Sequence, residues 1–258
     1  MSLTVYRYFM VGIIMIAIML ILRKSWRLRV SPWLFCGCVL GMYTISIGHL
    51  GAVKYIPVSL AAIIFYTYPL QVIAYRRWIS RKSVSWLEAA GFLLAFIGLV
   101  IALGPEFHTV DWRGMAMAFV GSIGALVFFI CYESFPREIE IFATTTWVSL
   151  GTLVLCGFTL LLGVELTPPA ESIGWTYLWC IAGLTVVAFL FVVLAIPRIG
   201  AAGTALFLNL EPVIILLLAW FVLNEHLSIA RLVGVFLVVT SLLISQVQSK
   251  TNAHSDAS

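Results

Sequence analysis

Apolar runs of about 17–24 residues recur along this chain, near 5–22, 33–53, 58–76, 85–103, 113–132, 143–163, 173–196, 201–223 and 229–246, with short polar connections between them. Wound as helices, each is long enough for a hydrocarbon core of roughly 30 Å. A barrel strand would instead alternate apolar and polar positions over about ten residues. The pattern therefore predicts an all-α integral membrane protein of about nine transmembrane helices. The first run ends in RKSWRLR and lacks a small-residue cleavage site, so it reads as a span and not as a signal peptide. The polar end of the chain, 247–258, is expected to be a disordered cytoplasmic tail.

The pattern also repeats. AVKYIPVSLAAIIFYTYPL (52–70) lies over AIPRIGAAGTALFLNLEPV (195–213) at an offset of 143, and the register continues ungapped to LVI (99–101) over LLI (242–244). It pairs Pro69 with Pro212, Ser85 with Ser228 and Gly91 with Gly234. Apolar chains match Ala and Ile by chance, so the prolines and glycines carry the weight. The offset spans five helices. Five is odd, so the two copies face opposite ways across the membrane, which is the inverted repeat common in transporters. The expected organisation is a first repeat over 1–104 with four helices and a second over 105–246 with five. Symmetry asks for five and five. The counterpart of 113–132 would precede Met1, which points to a misplaced start codon, a truncated chain or a nine-helix variant in its own right.

Composition agrees with lipid as the solvent. Of 258 residues, 62% are hydrophobic and 10% charged, where a soluble domain has about half and a quarter. The mean hydropathy is +1.10. The net charge of +4 matters by its placement. Arg23, Lys24, Arg27, Arg29, Arg76, Arg77, Arg81, Lys82, Arg137, Arg198 and Lys250 fall on one side, against Arg7, Lys54, Arg113 and Arg231 on the other. The positive-inside rule makes the first side cytoplasmic, with the N-terminus outside and the C-terminus inside the plasma membrane. Nothing resembles a basic nucleic-acid surface. Cys36, Cys38, Cys131, Cys156 and Cys180 all lie in apolar runs and read as small packing residues, so no metal site is expected.

Candidate chemistry gathers where the repeat places its prolines. Pro69 and Pro212 lack an amide hydrogen, so each should kink its helix and free the carbonyl of Phe65 or Leu208. Such a carbonyl is tolerated against a watery cavity or against a neighbouring helix, so the two residues line a cavity or mark packing kinks. Glu211 lies near mid-depth, where a charge costs about 2.5–3.5 kcal/mol. It would hold a cationic substrate group, carry a proton, or serve as a structural acid between helices. Tyr66 lies over Asn209 and Tyr68 over Glu211 in the repeat register. All four are substrate-binding candidates, since tyrosine and asparagine can hydrogen-bond a polar solute and a tyrosine ring can meet a cation. Packing is the alternative for the tyrosines. His49 is a proton or substrate contact, or a hydrogen-bonded helix-contact residue. Arg7 and Glu133 sit at helix ends, where snorkelling explains them. Gly37 and Gly41 form GxxxG, and Gly114 and Gly121 share a face, as in close helix packing. Trp33, Trp78, Trp112, Trp175 and Trp179 fit interfacial anchoring. No GxxxxGK[ST], HExxH or GxSxG occurs, so no catalytic residue and no cofactor is expected, and ATP would not be hydrolysed by this chain.

LEP at 210–212, then an apolar run, NEH at 224–226 and a last helix with Gly234 resemble the EamA-type drug/metabolite transporters. VYRYF at 5–9 is similar to the opening of that family's second helix. The first half departs at Arg81-Lys82, where the second has Asn224-Glu225; a cytoplasmic loop favours the cations. The resemblance implies two inverted five-helix halves and export of amino acids or related small polar metabolites by alternating access. The alternative is a non-transporting scaffold, sensor or subunit that needs a partner to complete its bundle. The expected partners are a small-molecule substrate and the bilayer. The sequence leaves a homodimer or another oligomeric state open.

Overall fold

The computed structural model describes residues 2–81, 84–104, 111–136, 140–161, 166–169, 171–223 and 228–255. Lys82, Arg137, Asn224, Glu225 and His226 of the sequence reading lie outside them. Ten helices form in chain order: α1 (Ser2–Ile21), α2 (Pro32–Ala52), α3 (Val58–Phe65), α4 (Tyr68–Trp78), α5 (Trp86–Leu103), α6 (Trp112–Glu133), α7 (Ile141–Leu161), α8 (Ser172–Leu208), α9 (Leu210–Leu223) and α10 (Ile229–Ser255). Among the described residues there is no strand. The protein is an all-α membrane protein: the described residues hold seven helical spans long and apolar enough to cross a bilayer, with α3 and α4 together making one of them, and two shorter apolar helices, Leu210–Val222 and Ile229–Ser245.

Every predicted run is found, with three differences at the joints. The run at 58–76 is split into α3 and α4 by Tyr66 and Thr67. The runs at 173–196 and 201–223 are divided differently. Helix α8 covers the first and enters the second as far as Leu208, interrupted by Gly200 (φ 77°, ψ 166°), a conformation that glycine alone adopts cheaply. Helix α10 extends to Ser255, into the stretch read as a disordered tail. Once a helix is nucleated, each further residue adds a hydrogen bond at little cost, so polar residues can prolong it.

The chain forms two compact units, Met1–Gly51 with Ile123–Ala201, and Ala52–Ser122 with Ala202–Ser258. In the first, Met10, Val11 and Met15 of α1 bury against Leu178, Ala182 and Val186 of α8. Helices α2 and α6 meet through glycine. A Cβ on Gly41 would sit 2.7 Å from the Gly124 carbonyl oxygen, and one on Gly37 would strike Cys131. The GxxxG of α2 is thus a helix-contact surface. Helix α1 ends where Arg23 takes φ 49° and the Lys24 amide reaches back to the Met19 carbonyl at 3.0 Å, a left-handed C-terminal cap.

In the second unit, Ile56, Leu60 and Ala61 pack on Ala118 of α6. Helices α5 and α10 cross closely. A Cβ on Gly98 would lie 2.8 Å from the Gly234 carbonyl oxygen, and one on Gly91 would lie 3.7 Å from the Ser241 carbonyl oxygen. Positions 91 and 98 correspond to 234 and 241 in the repeat register, so these contacts are images of each other. Their order also makes α5 and α10 antiparallel. Both helices start on the same cap: Ser85 Oγ accepts from the Glu88 amide at 3.1 Å, and Ser228 Oγ from the Arg231 amide at 3.3 Å.

Trp33, Trp78 and Trp112 stand exposed at helix ends, as anchoring requires. Cysteine departs from expectation at two places. Cys38 and Cys156 are buried, whereas Cys36 and Cys180 are exposed and pack nothing internal. In lipid an outward thiol is as acceptable as an inward one, so apolar context does not tell the two apart.

Candidate functional site

The two proline-bearing segments break at equivalent points. In the first, α3 closes with the Tyr66 amide on the Ala62 carbonyl at 2.8 Å and the Thr67 amide on the Ile64 carbonyl at 3.2 Å. Helix α4 then starts at Tyr68, with Pro69 in its first turn. In the second, the Asn209 amide reaches the Leu206 carbonyl at 3.1 Å, and α9 starts with Leu210, Glu211 and Pro212. The expected kinks are therefore full breaks. Each proline sits in an opening turn, where a missing amide hydrogen costs no internal bond.

The breaks are joined by chemistry. The Tyr66 hydroxyl donates to Glu211 Oε2 at 2.9 Å. Tyr66 is 7% exposed and Tyr68 2%, while Glu211 is exposed. The rings of Tyr66 and Tyr68 lie 6.0 Å apart, and Phe65 packs edge-on against Tyr66 at 5.4 Å. Asn209 is 2% exposed, and its Oδ1 has no hydrogen-bond partner among the described residues. Glu211, Asn209, Tyr66, Tyr68, Pro69 and Pro212 thus all belong to the second unit. His49 does not. It is half-buried in the last turn of α2, in the first unit.

Sequence reasoning missed a polar node one turn past the first break. Gln71 Nε2 donates to Ser122 Oγ at 2.8 Å and to Thr67 Oγ1 at 3.1 Å. Thr67 Oγ1 and Ser122 Oγ are 2.8 Å apart, and the Thr67 hydroxyl reaches the Ile64 carbonyl at 2.7 Å. The donors are spent inside the node, and the buried Gln71 Oε1 keeps no partner among the described residues. A glutamine two residues after a proline in an apolar run was the available signal. Glu133 was also under-read. Its Oε1 accepts the Ala201 amide at 3.1 Å and caps the helix that resumes after Gly200, which snorkelling does not describe.

These features define a multi-pass, all-α membrane protein with repeat-related broken helices. The chain belongs to the EamA-like transporter family, whose pattern matches residues 1–104 and 112–246. An uncharacterized transporter of Archaeoglobus fulgidus is 24% identical over 88% of this chain and 82% of its own length. The S-adenosylmethionine uptake transporter of Rickettsia conorii is 22% identical over 72% of this chain and 62% of its own. The uncharacterized transporter YyaM of Bacillus subtilis is 23% identical over 80% and 70%. A solved crystal structure shares the fold, with a TM-score of 0.83 and 19% identity over 97% of this chain and 88% of that one. The protein is thus a membrane transporter of small molecules.

Proposed function

We propose that the protein is a secondary transporter that exports small polar metabolites bearing an amino group, amino acids among them. It works by alternating access between its inverted repeats, 1–104 and 105–246. One observation carries this reading. The Glu211 carboxylate, fixed by the Tyr66 hydroxyl at 2.9 Å, stands where two repeat-related helices break. Broken helices in transporters free backbone and side-chain groups for a solute. Near this break Asn209 Oδ1 and, one turn on, Gln71 Oε1 are buried acceptors with no hydrogen-bond partner among the described residues, and the carboxylate keeps acceptor capacity beyond the Tyr66 bond. Acceptors call for a donor-rich, cationic partner, and a primary ammonium supplies three N–H bonds. The Tyr68 ring beside them suits the same charge. With no phosphate-binding loop in the sequence, an ion gradient or the solute's own gradient drives transport.

The test is uptake into inverted plasma-membrane vesicles from cells expressing the protein, with a labelled panel of amino acids, amines and amine-free carboxylic acids. Amino-bearing solutes accumulate, and Glu211→Gln lowers that accumulation at least tenfold at equal protein level. Unchanged transport and pH dependence in Glu211→Gln would make the residue structural and end the reading. The Rickettsia relative is named for uptake, so import is the competing direction; accumulation confined to right-side-out vesicles would establish it. Orientation, with the N-terminus outside and the C-terminus inside, follows from the Lys and Arg distribution. It predicts that fluorescent protein fused to the C-terminus is bright and alkaline phosphatase fused there is inactive.

A further inference from the structure

Arg7 stands in the second turn of α1 and is the one Asp, Glu, Lys or Arg within Ser2–Ile21. Its Nη2 donates to Ser46 Oγ across 3.5 Å, the outer limit of a hydrogen bond. Ser46 has little more to offer, because its hydroxyl is paired with the Tyr8 hydroxyl at 2.8 Å and reaches the Met42 carbonyl at 2.9 Å. The guanidinium carbon lies 5.3 Å from the centroid of the Tyr8 ring. Arg7 Nε is buried and has no hydrogen-bond partner among the described residues. Thr4 lies one turn back on the same face, 2% exposed, and its Oγ1 is likewise unpartnered. Two adjacent groups able to donate are thus open.

Among the described residues no carboxylate of this unit forms an ion pair with Arg7. The ion pairs among the described residues are Lys24–Glu140 and Arg76–Glu88. Helices α2 and α7 and residues 172–199 contain neither Asp nor Glu, and Glu133 is committed to Ala201. Snorkelling would leave the guanidinium donors to water, yet Nε is shut away from it. A cation in an apolar helix, with no counter-charge among the described residues and a planar fork edge beside a hydroxyl, matches an oxyanion in both charge and geometry.

We propose that Thr4 and Arg7 form an oxyanion-binding site in the first unit, with Ser46 holding the far end of the guanidinium. It takes a carboxylate or phosphate group, carried by a small solute or by a lipid headgroup. This site is independent of the Glu211 reading and stands or falls by a different measurement. The test follows modification of Arg7 by phenylglyoxal, read by peptide mass spectrometry, in the full-length protein in phosphatidylcholine vesicles. Sodium acetate or inorganic phosphate, against chloride at equal ionic strength, should slow Arg7 labelling at least threefold while the exposed Arg113 is unaffected. Slowing that instead needs only phosphatidylglycerol in the vesicles assigns the oxyanion to the headgroup. In Thr4→Val the protection should shrink to less than half. Equal rates under every condition, or undiminished protection in Thr4→Val, overturn the site.

Discussion

The two helix breaks begin at the same position of the repeat register and carry opposite chemistry. Both stop just before a proline-bearing turn, at positions that coincide in the repeat register, Tyr66 with Asn209 and Tyr68 with Glu211. The first presents two buried aromatic hydroxyls. The second presents a buried amide and an exposed carboxylate, which the Tyr66 hydroxyl then joins to the first. The equivalent breaks thus carry a donor in one copy, Tyr66, and an acceptor in the other, Glu211.

The strongest way to break the comparison is to make the second copy chemically like the first. Glu211→Tyr removes the charge-assisted bond from Tyr66, worth about 1.5–3 kcal/mol. Vesicle transport of amino-bearing solutes should fall between tenfold and hundredfold; a fall under twofold would mean that the two breaks are interchangeable. Tyr66→Phe keeps the ring and deletes the donor. Because that donor makes the same bond to Glu211, the loss should be about 1.5–3 kcal/mol, at least tenfold in transport rate, without the added bulk that Glu211→Tyr brings. The α5–α10 crossing gives a second contrast. Gly98→Ala pushes a methyl to 2.8 Å from a backbone carbonyl, whereas Gly91→Ala meets its image contact at 3.7 Å. Unfolding in mixed detergent micelles should show about 1–3 kcal/mol lost for Gly98→Ala, and much less for Gly91→Ala. The mildest test concerns the shared caps. Ser85→Ala and Ser228→Ala should each lower unfolding stability by about 1 kcal/mol or less, and by similar amounts.

Much of this was legible in the sequence. Nine apolar runs became spans or parts of spans, and the paired prolines located both breaks to within three residues. The offset relating Ser85 to Ser228 and Gly91 to Gly234 reappears as equivalent caps and image contacts. What was not legible is who packs against whom. In lipid, outward and inward faces are equally apolar, so hydropathy carries no address for a partner helix. Cys36 faces out and Cys38 in with no difference in their neighbours' polarity. The Gln71–Ser122 bond needs α4 beside α6, and the Glu133–Ala201 bond needs the end of α6 beside a break in α8. Neither adjacency has a local sequence signal. The grouping of helices from both sequence halves within each compact unit follows from those same packing choices.

The antiparallel crossing of α5 and α10 sets a schedule for biosynthesis. Helix α5 ends at Leu103 and its mate begins at Ile229, so a ribosome must add roughly 130 residues before the two can meet. At about 5–20 residues per second, α5 waits on the order of 6–25 s with its glycine groove facing lipid or the insertion machinery. The second unit therefore cannot close until the last span has left the ribosome, and an arrest upstream of α10 leaves it open however much of the protein has already been made.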